Sequence, residues 1–208
     1  MSSQPASLIR RHFEQSRDVV VAALEDAAFV KSIADIAESM ERCLRAGGKV
    51  LLAGNGGSAA DAQHIAAELI SRLVFDRGPL AAIALTTDTS VLTAIGNDYG
   101  YEHVFSRQVQ GLGRCGDMLI AISTSGKSPN ILKAVEAAKE AGVQTVAFTG
   151  NSNAPLAGMC DLVLRAPTPS TMLIQQIHIT AAHSICELVE LAIFGDKPGE
   201  GRGPNLRG

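Results

Sequence analysis

The sequence is short of several things, and each shortage narrows what the protein does. Its four cysteines (Cys43, Cys115, Cys160 and Cys186) are scattered, with no CxxC pair. Such a pattern suits buried, reduced thiols in a cytosol better than a disulfide framework. Lysine and arginine, 18 together, do not outnumber the 21 acidic residues, and the net charge is −3. That balance gives no electrostatic case for nucleic acid or for an anionic membrane. No apolar run approaches the roughly 20 residues that span a bilayer, and residues 1–5 lack the charged-then-apolar pattern of a signal peptide. No internal repeat or inter-domain linker interrupts the chain. The expectation is a cytoplasmic protein with neither nucleic acid nor membrane as partner. What is present is 208 residues, 46% hydrophobic and 19% charged, enough for one globular domain with a sizeable core.

The chain is organised around residues 49–68. Residues 49–53 are apolar, short and closed by glycine, which predicts a buried parallel strand. Gly54, Gly56 and Gly57 then allow positive φ and close approach of a ligand to the backbone. Ser58 is placed as an N-cap, and the alanine-rich run after it favours helix. A strand, a glycine turn and a helix N-terminus make a site for an anion or a sugar hydroxyl. His64 and Glu68, spaced i, i+4, share a helix face just behind that turn.

Elsewhere strands and helices alternate. Residues 6–46 read as two helices, stopped by Gly47 and Gly48. Further strands are expected at 80–85, 117–122, 144–149 and 161–165. A short helix is expected after residue 89, then a permissive loop at 96–100 presenting Asn97 and Asp98, then an amphipathic helix over 101–112. A long helix is expected over about 171–194. The Gly- and Pro-rich segment 195–208 reads as a loose tail. The predicted fold class is α/β: a doubly wound, mostly parallel five-stranded sheet flanked by helices, as one domain over 1–194. Ligands of such a sheet sit beyond the carboxyl ends of its strands.

The third strand runs into Ser123, Thr124, Ser125, Gly126, Lys127 and Ser128, with Pro129 at the favoured first helical position. Hydroxyls, backbone N–H groups and a helix dipole converge there, which suits a phosphate. The Gly-x4-Gly-Lys spacing of a Walker A loop is absent. The last helix carries Gln175, His178 and His183. A histidine on a largely apolar helix is more often a satisfied core residue than a ligand. Gln175 and His183 lie about 12 Å apart along a regular helix, and two ligands of one zinc must each lie about 2 Å from it. Extended side chains, a kink or a neighbouring subunit would each close that span.

Gly54-Asn55-Gly56-Gly57-Ser58, Asn97-Asp98-Tyr99-Gly100, Ile122-Ser123-Thr124-Ser125-Gly126 and Gln175-x7-His183 together resemble the sugar isomerase (SIS) fold. Within it, His64-x3-Glu68 with Gln175-x7-His183 resembles the phosphoheptose isomerase family. The resemblance covers nearly the whole chain. It implies conversion of sedoheptulose 7-phosphate to D-glycero-D-manno-heptose 7-phosphate, toward the heptose of bacterial surface polysaccharide. It implies that Asn55, Gly56, Gly57, Ser58, Asn97 and Asp98 hold the sugar, and that Ser123, Thr124, Ser125 and Ser128 take the phosphate. It implies one zinc per subunit on His64, Glu68, Gln175 and His183, with Glu68 and Gln175 also facing substrate, in a cytoplasmic homotetramer. One departure stands out: some relatives carry an aspartate before the final helix, where residues 169–172 here hold no carboxylate. Arg72, i+4 from Glu68, reads as a helical ion pair.

Ketose–aldose exchange moves a proton between adjacent carbons. That assigns Glu68 as base and His183 as acid, such transfers typically contributing 10²–10⁴-fold each. Two readings of other classes remain: a sugar-phosphate-sensing module, and a non-catalytic tetrameric SIS protein that binds the DnaA replication initiator. The complete His/Glu/Gln/His set favours the enzyme. A pentose phosphate is the alternative substrate.

Overall fold

The computed structural model describes residues 3–195, and the tail expected at 195–208 lies, past Gly195, outside the described residues. Two helices, α1 (Ser3–Glu25) and α2 (Ala27–Arg45), precede the first strand. Asp26 separates them and caps α2, accepting from the N–H groups of Ala28 and Phe29. Gly47, at φ +82°, turns the chain out of α2 into β1 (Val50–Gly54). There follow α3 (Gly57–Ile70), β2 (Ala82–Ala84), α4 (Thr89–Tyr99), a 3₁₀ turn (Tyr101–His103) and α5 (Ser106–Leu112). The chain continues through β3 (Met118–Ile122), α6 (Pro129–Glu140), β4 (Gln144–Thr149), α7 (Pro155–Met159), β5 (Leu162–Arg165) and α8 (Thr171–Phe194).

The five strands form one sheet in the order β2-β1-β3-β4-β5, and every pairing is parallel. Successive strand residues point to opposite faces. Val50 and Leu52 therefore enter one hydrophobic cluster with α2, α3 and α8, while Leu51 and Ala53 enter a second with α5 and α6. Burial on both faces is why these strands read as unbroken apolar runs. The winding direction reverses between β1 and β3, so the loops after those two strands flank the switch point of the sheet.

Four expectations are corrected. Ser58 does not cap α3: Gly56, at φ +56°, holds the cap position, and Ser58 turns inward and is buried. Asn97 and Asp98 lie in the last turn of α4 rather than in a loop, because Asp88 caps that helix and it runs on to Gly100. The helix expected over 101–112 is split into the 3₁₀ turn and α5. Cys115 is exposed, whereas Cys43 and Cys186 are buried. In addition, α8 is long and apolar enough to cross a membrane by length and composition. Here it is a core helix, with Ile174, Ile177, Ala181, Ile185 and Val189 buried against the sheet and α2.

The link from α3 to β2 is anchored by an ion pair inside the protein. Glu190 of α8 is fully buried, and its carboxylate accepts from the backbone N–H groups of Leu73, Val74 and Phe75. The Arg77 guanidinium lies 3.3 Å from it and donates to the carbonyls of Glu68, Leu69, Ser71 and Gly78. Three of these bonds, to Glu68, Leu69 and Ser71, reach carbonyls at the end of α3. Removing one partner of a buried pair leaves the other charge uncompensated, at a cost of about 3–5 kcal/mol. Glu190→Gln is therefore expected to destabilise by about 3 kcal/mol in urea unfolding, while Glu187→Gln, exposed three residues earlier, changes stability by less than about 0.5 kcal/mol.

Candidate active site

Two turns at the carboxyl edge of the sheet build the site. The first runs from β1 into α3. Gly57 lies so close to the Gln175 amide of α8 that a Cβ at this position would overlap it. Glycine at 57 allows this approach without a special φ; a Cβ there would push the flexible end of the Gln175 side chain aside. The Asn55 side chain exchanges two hydrogen bonds with Asn130, each 2.9 Å, and its Oδ1 also accepts from the Tyr101 hydroxyl at 3.2 Å.

The second turn runs from β3 into α6. Ser123 Oγ lies 3.1 Å from Ser128 Oγ and 3.5 Å from Ser125 Oγ, and it accepts from the Gly126 N–H. Gly126, at φ +63°, makes the sharp bend that gathers these hydroxyls. Ser128 occupies the cap position of α6, but its hydroxyl bonds Ser123 and makes no capping bond to the helix. Thr124, Ser125 and Lys127 line a cavity of about 220 Å³ with Gly150, Asn151 and Ser152 at the end of β4 and Thr171 and Ile174 of α8. The wall beyond β4 was not anticipated from sequence. Its signal was the polar run Asn151-Ser152-Asn153 directly after a strand.

Behind the first turn, α3 and α8 carry the ionisable groups. His64 Nε2 lies 2.8 Å from His183 Nε2 and 3.2 Å from Glu68 Oε1, and the donor atoms of all three residues fall within 4.8 Å of one another. Two imidazole nitrogens and a carboxylate are the donor chemistry of a zinc site. Asp61, one turn earlier on α3, has a buried Oδ2 with no hydrogen-bond partner among the described residues. Burial raises its pKa, against a smaller lowering by His64. Electron-rich atoms crowded in this way fit a cation, so the residues present suit the group.

The remaining candidates divide. Gln175 abuts the first turn, its amide against Gly57. Asn97 and Asp98 are exposed, and Asn97 Nδ2 donates to Asp98 Oδ1 at 2.8 Å. From that segment it is Tyr101 that reaches Asn55. Arg72 lies past the end of α3 and is exposed; among the described residues it forms no ion pair with Glu68. His178 is a core residue as its apolar helix suggested: its Nε2 lies 3.1 Å from the Thr149 carbonyl oxygen. Asn130 and Tyr101 were missed. Neither carries a motif, and only folding brings them to Asn55.

A sheet wound in this order, with a hydroxyl-rich turn after its third strand, defines a SIS domain. The profile of that family (SIS domain) matches residues 12–150. A phosphoheptose isomerase from Bradyrhizobium sp. (strain ORS 278) is 54% identical over 190 residues, covering 91% of this chain and 96% of its own. The structure of phosphoheptose isomerase from Neisseria gonorrhoeae superimposes with a TM-score of 0.84 at 46% identity, over 89% of this chain and 98% of its own. That of a phosphoheptose isomerase from Francisella tularensis gives 0.85 at 38% identity, over 91% and 98%. Within the SIS domain proteins, the chain belongs to the phosphoheptose isomerase family.

Burial holds His178 well below its usual range, at about 4. A histidine that titrates near 6.5 when unfolded but near 4 when folded favours the unfolded state as it takes up a proton. Its contribution is therefore intact above pH 6.5 and lost as the pH falls toward 4, a span worth about 3 kcal/mol. Urea unfolding of metal-free protein at pH 7 and pH 4.5 should show this loss, and His178→Gln should remove that part of the pH dependence.

Proposed function

We propose that the protein isomerises sedoheptulose 7-phosphate to D-glycero-D-manno-heptose 7-phosphate, in the cytoplasm, for the heptose of bacterial surface polysaccharide. The observation that carries this reading is the convergence of His64, Glu68 and His183 within 4.8 Å, although His183 is distant in the chain from the other two. Full-length similarity to phosphoheptose isomerases supports it. The intact acid and base set argues against a sensing module or an initiator-binding scaffold.

The phosphate is held by Ser123, Thr124, Ser125 and Ser128 beside the N-terminus of α6, whose dipole favours the negative charge. Asn55, Gly56, Gly57 and Ser58 hold the sugar, with Asn97 and Asp98 at the rim. Glu68 removes a proton from C1 of the ketose, and His183 gives one to the C2 carbonyl oxygen, leaving an enediol. Glu68 then returns its proton to C2 as His183 takes the one on O1, and the aldose forms with no net change in either group. The donor atoms of the two residues lie within 4.8 Å of each other, a span that one bridging water or substrate atom can close. His64, Glu68, His183 and Gln175 would hold one zinc per subunit. When bound, the ion supplies a Lewis acid for the oxygen that gains charge.

Assembly as a homotetramer is supported by α1. Ile9, Phe13, Val20 and Leu24 recur at alternating spacings of four and seven, and Phe13 and Leu24 are 70% and 73% exposed. An apolar seam of this kind is the pattern that packs helices side by side. Light scattering is expected to give four times the chain mass, and Phe13→Glu should lower it.

The deciding experiment follows sedoheptulose 7-phosphate by NMR, watching the ketose disappear and the aldose form. Glu68→Gln is expected to keep fold and oligomer while losing at least 100-fold in turnover, in line with loss of a general base. A variant within tenfold of the unaltered protein would overturn the assignment. Chelation should abolish turnover and added zinc restore it; full activity in metal-free protein would remove zinc from the reaction.

A further inference from the structure

We infer that Asn130 is a positioning residue that sets which length of sugar phosphate the site accepts, an inference that rests on the isomerase reading above. Asn130 sits in the first turn of α6, only 3% exposed, two residues past the hydroxyl cluster. It shares two 2.9 Å hydrogen bonds with Asn55, in the turn after the neighbouring strand. Among the described residues, this amide pair is the side-chain bridge between the two turns. The β1 and β3 strands that carry them are paired in register, Gly54 opposite Ile122. The turns thus leave the sheet side by side, and the bridge fixes their separation.

The bridge also fixes what Asn55 presents. Its Oδ1 receives both Asn130 Nδ2 and the Tyr101 hydroxyl, and one of its two N–H bonds is spent on Asn130 Oδ1. What remains for a ligand is a single N–H donor, held at a fixed distance from the phosphate cradle. A sugar chain anchored by its phosphate on α6 meets that donor with a hydroxyl partway along its length. A five-carbon chain anchored at the same cradle is two carbons shorter than a seven-carbon one, so the separation of Asn55 from the cradle weighs differently on the two. Asn130 therefore acts through Asn55, as the spacer between the phosphate and the reacting carbons.

The test compares kcat/KM for sedoheptulose 7-phosphate with that for a five-carbon ketose 5-phosphate. Asn130→Ala is expected to lower the heptulose value at least tenfold and to narrow the seven-to-five-carbon ratio by a similar factor. Competitive inhibition by inorganic phosphate should stay within twofold, because the hydroxyl cradle is untouched. In an Asn55→Ala background, the further change to Asn130→Ala should have little effect. Asn130→Asp supplies a second variant compatible with a helix N-terminus. It keeps the acceptor and loses the donor, and its charge acts on both substrates alike, so the ratio again reports position. An unchanged ratio in both variants, or loss of phosphate inhibition in step with turnover, would overturn the inference. If the unaltered protein fails to turn over the heptulose phosphate, the parent reading falls, and this inference with it. Turnover by the unaltered protein with ratios unmoved in the variants strikes this inference alone.

Discussion

The register of α3 against α8 is the constraint on which the site depends. The two helices run in the same direction and meet at three levels: Gly57 against Gln175, His64 against His183, and the link just past α3 against Glu190. The contact at the top sets a glycine against the end of a flexible amide side chain, and the one at the bottom rests on a buried carboxylate with its guanidinium partner. Between them, two imidazoles and a carboxylate face one another without either helix having to bend. Glu190 touches no part of the reaction centre. It nonetheless limits how far α3 can slide along α8, and so how close Glu68 and His183 lie.

In the proposed reaction the two ends of the substrate are handled by different physics. The phosphate would meet neutral donors, namely hydroxyls, backbone N–H groups and the dipole of α6, with Lys127 at the edge, and the reacting end would meet groups that can change charge. The helices α6 and α8 pack on opposite faces of the sheet, although Thr171 and Ile174 of α8 also close one wall of the cavity beside the hydroxyl turn.

Much of this was legible in the sequence. Apolar runs of five residues marked β1 and β3, because burial on both faces removes the alternation that would otherwise complicate a strand; β4 was marked by the shorter run Val146-Ala147-Phe148 between threonines. The glycine and serine turns were legible because their chemistry is local. His64 and Glu68 could be paired by helical spacing alone. That His183 would join them could not be derived from spacing, since it depends on how α8 crosses α3; only family resemblance suggested it. Ser58 looked like a cap because serine usually is one, but the positive φ of Gly56 started the helix earlier. Asn97 and Asp98 looked like a loop because their neighbours are glycines, yet Asp88 had already committed that segment to helix. Glu190 and Arg77 gave a faint signal, a carboxylate on an otherwise apolar helix. Asn130 gave none, because its partner lies on another strand's turn.

The contact between Gly57 and Gln175 has an evolutionary corollary. A methyl group at 57 would meet only the far end of a flexible side chain, which can swing aside at small cost. Position 57 is therefore tied to the pose of the 175 amide rather than to the fold, and substitutions there through descent should report on what that amide is held in place to do.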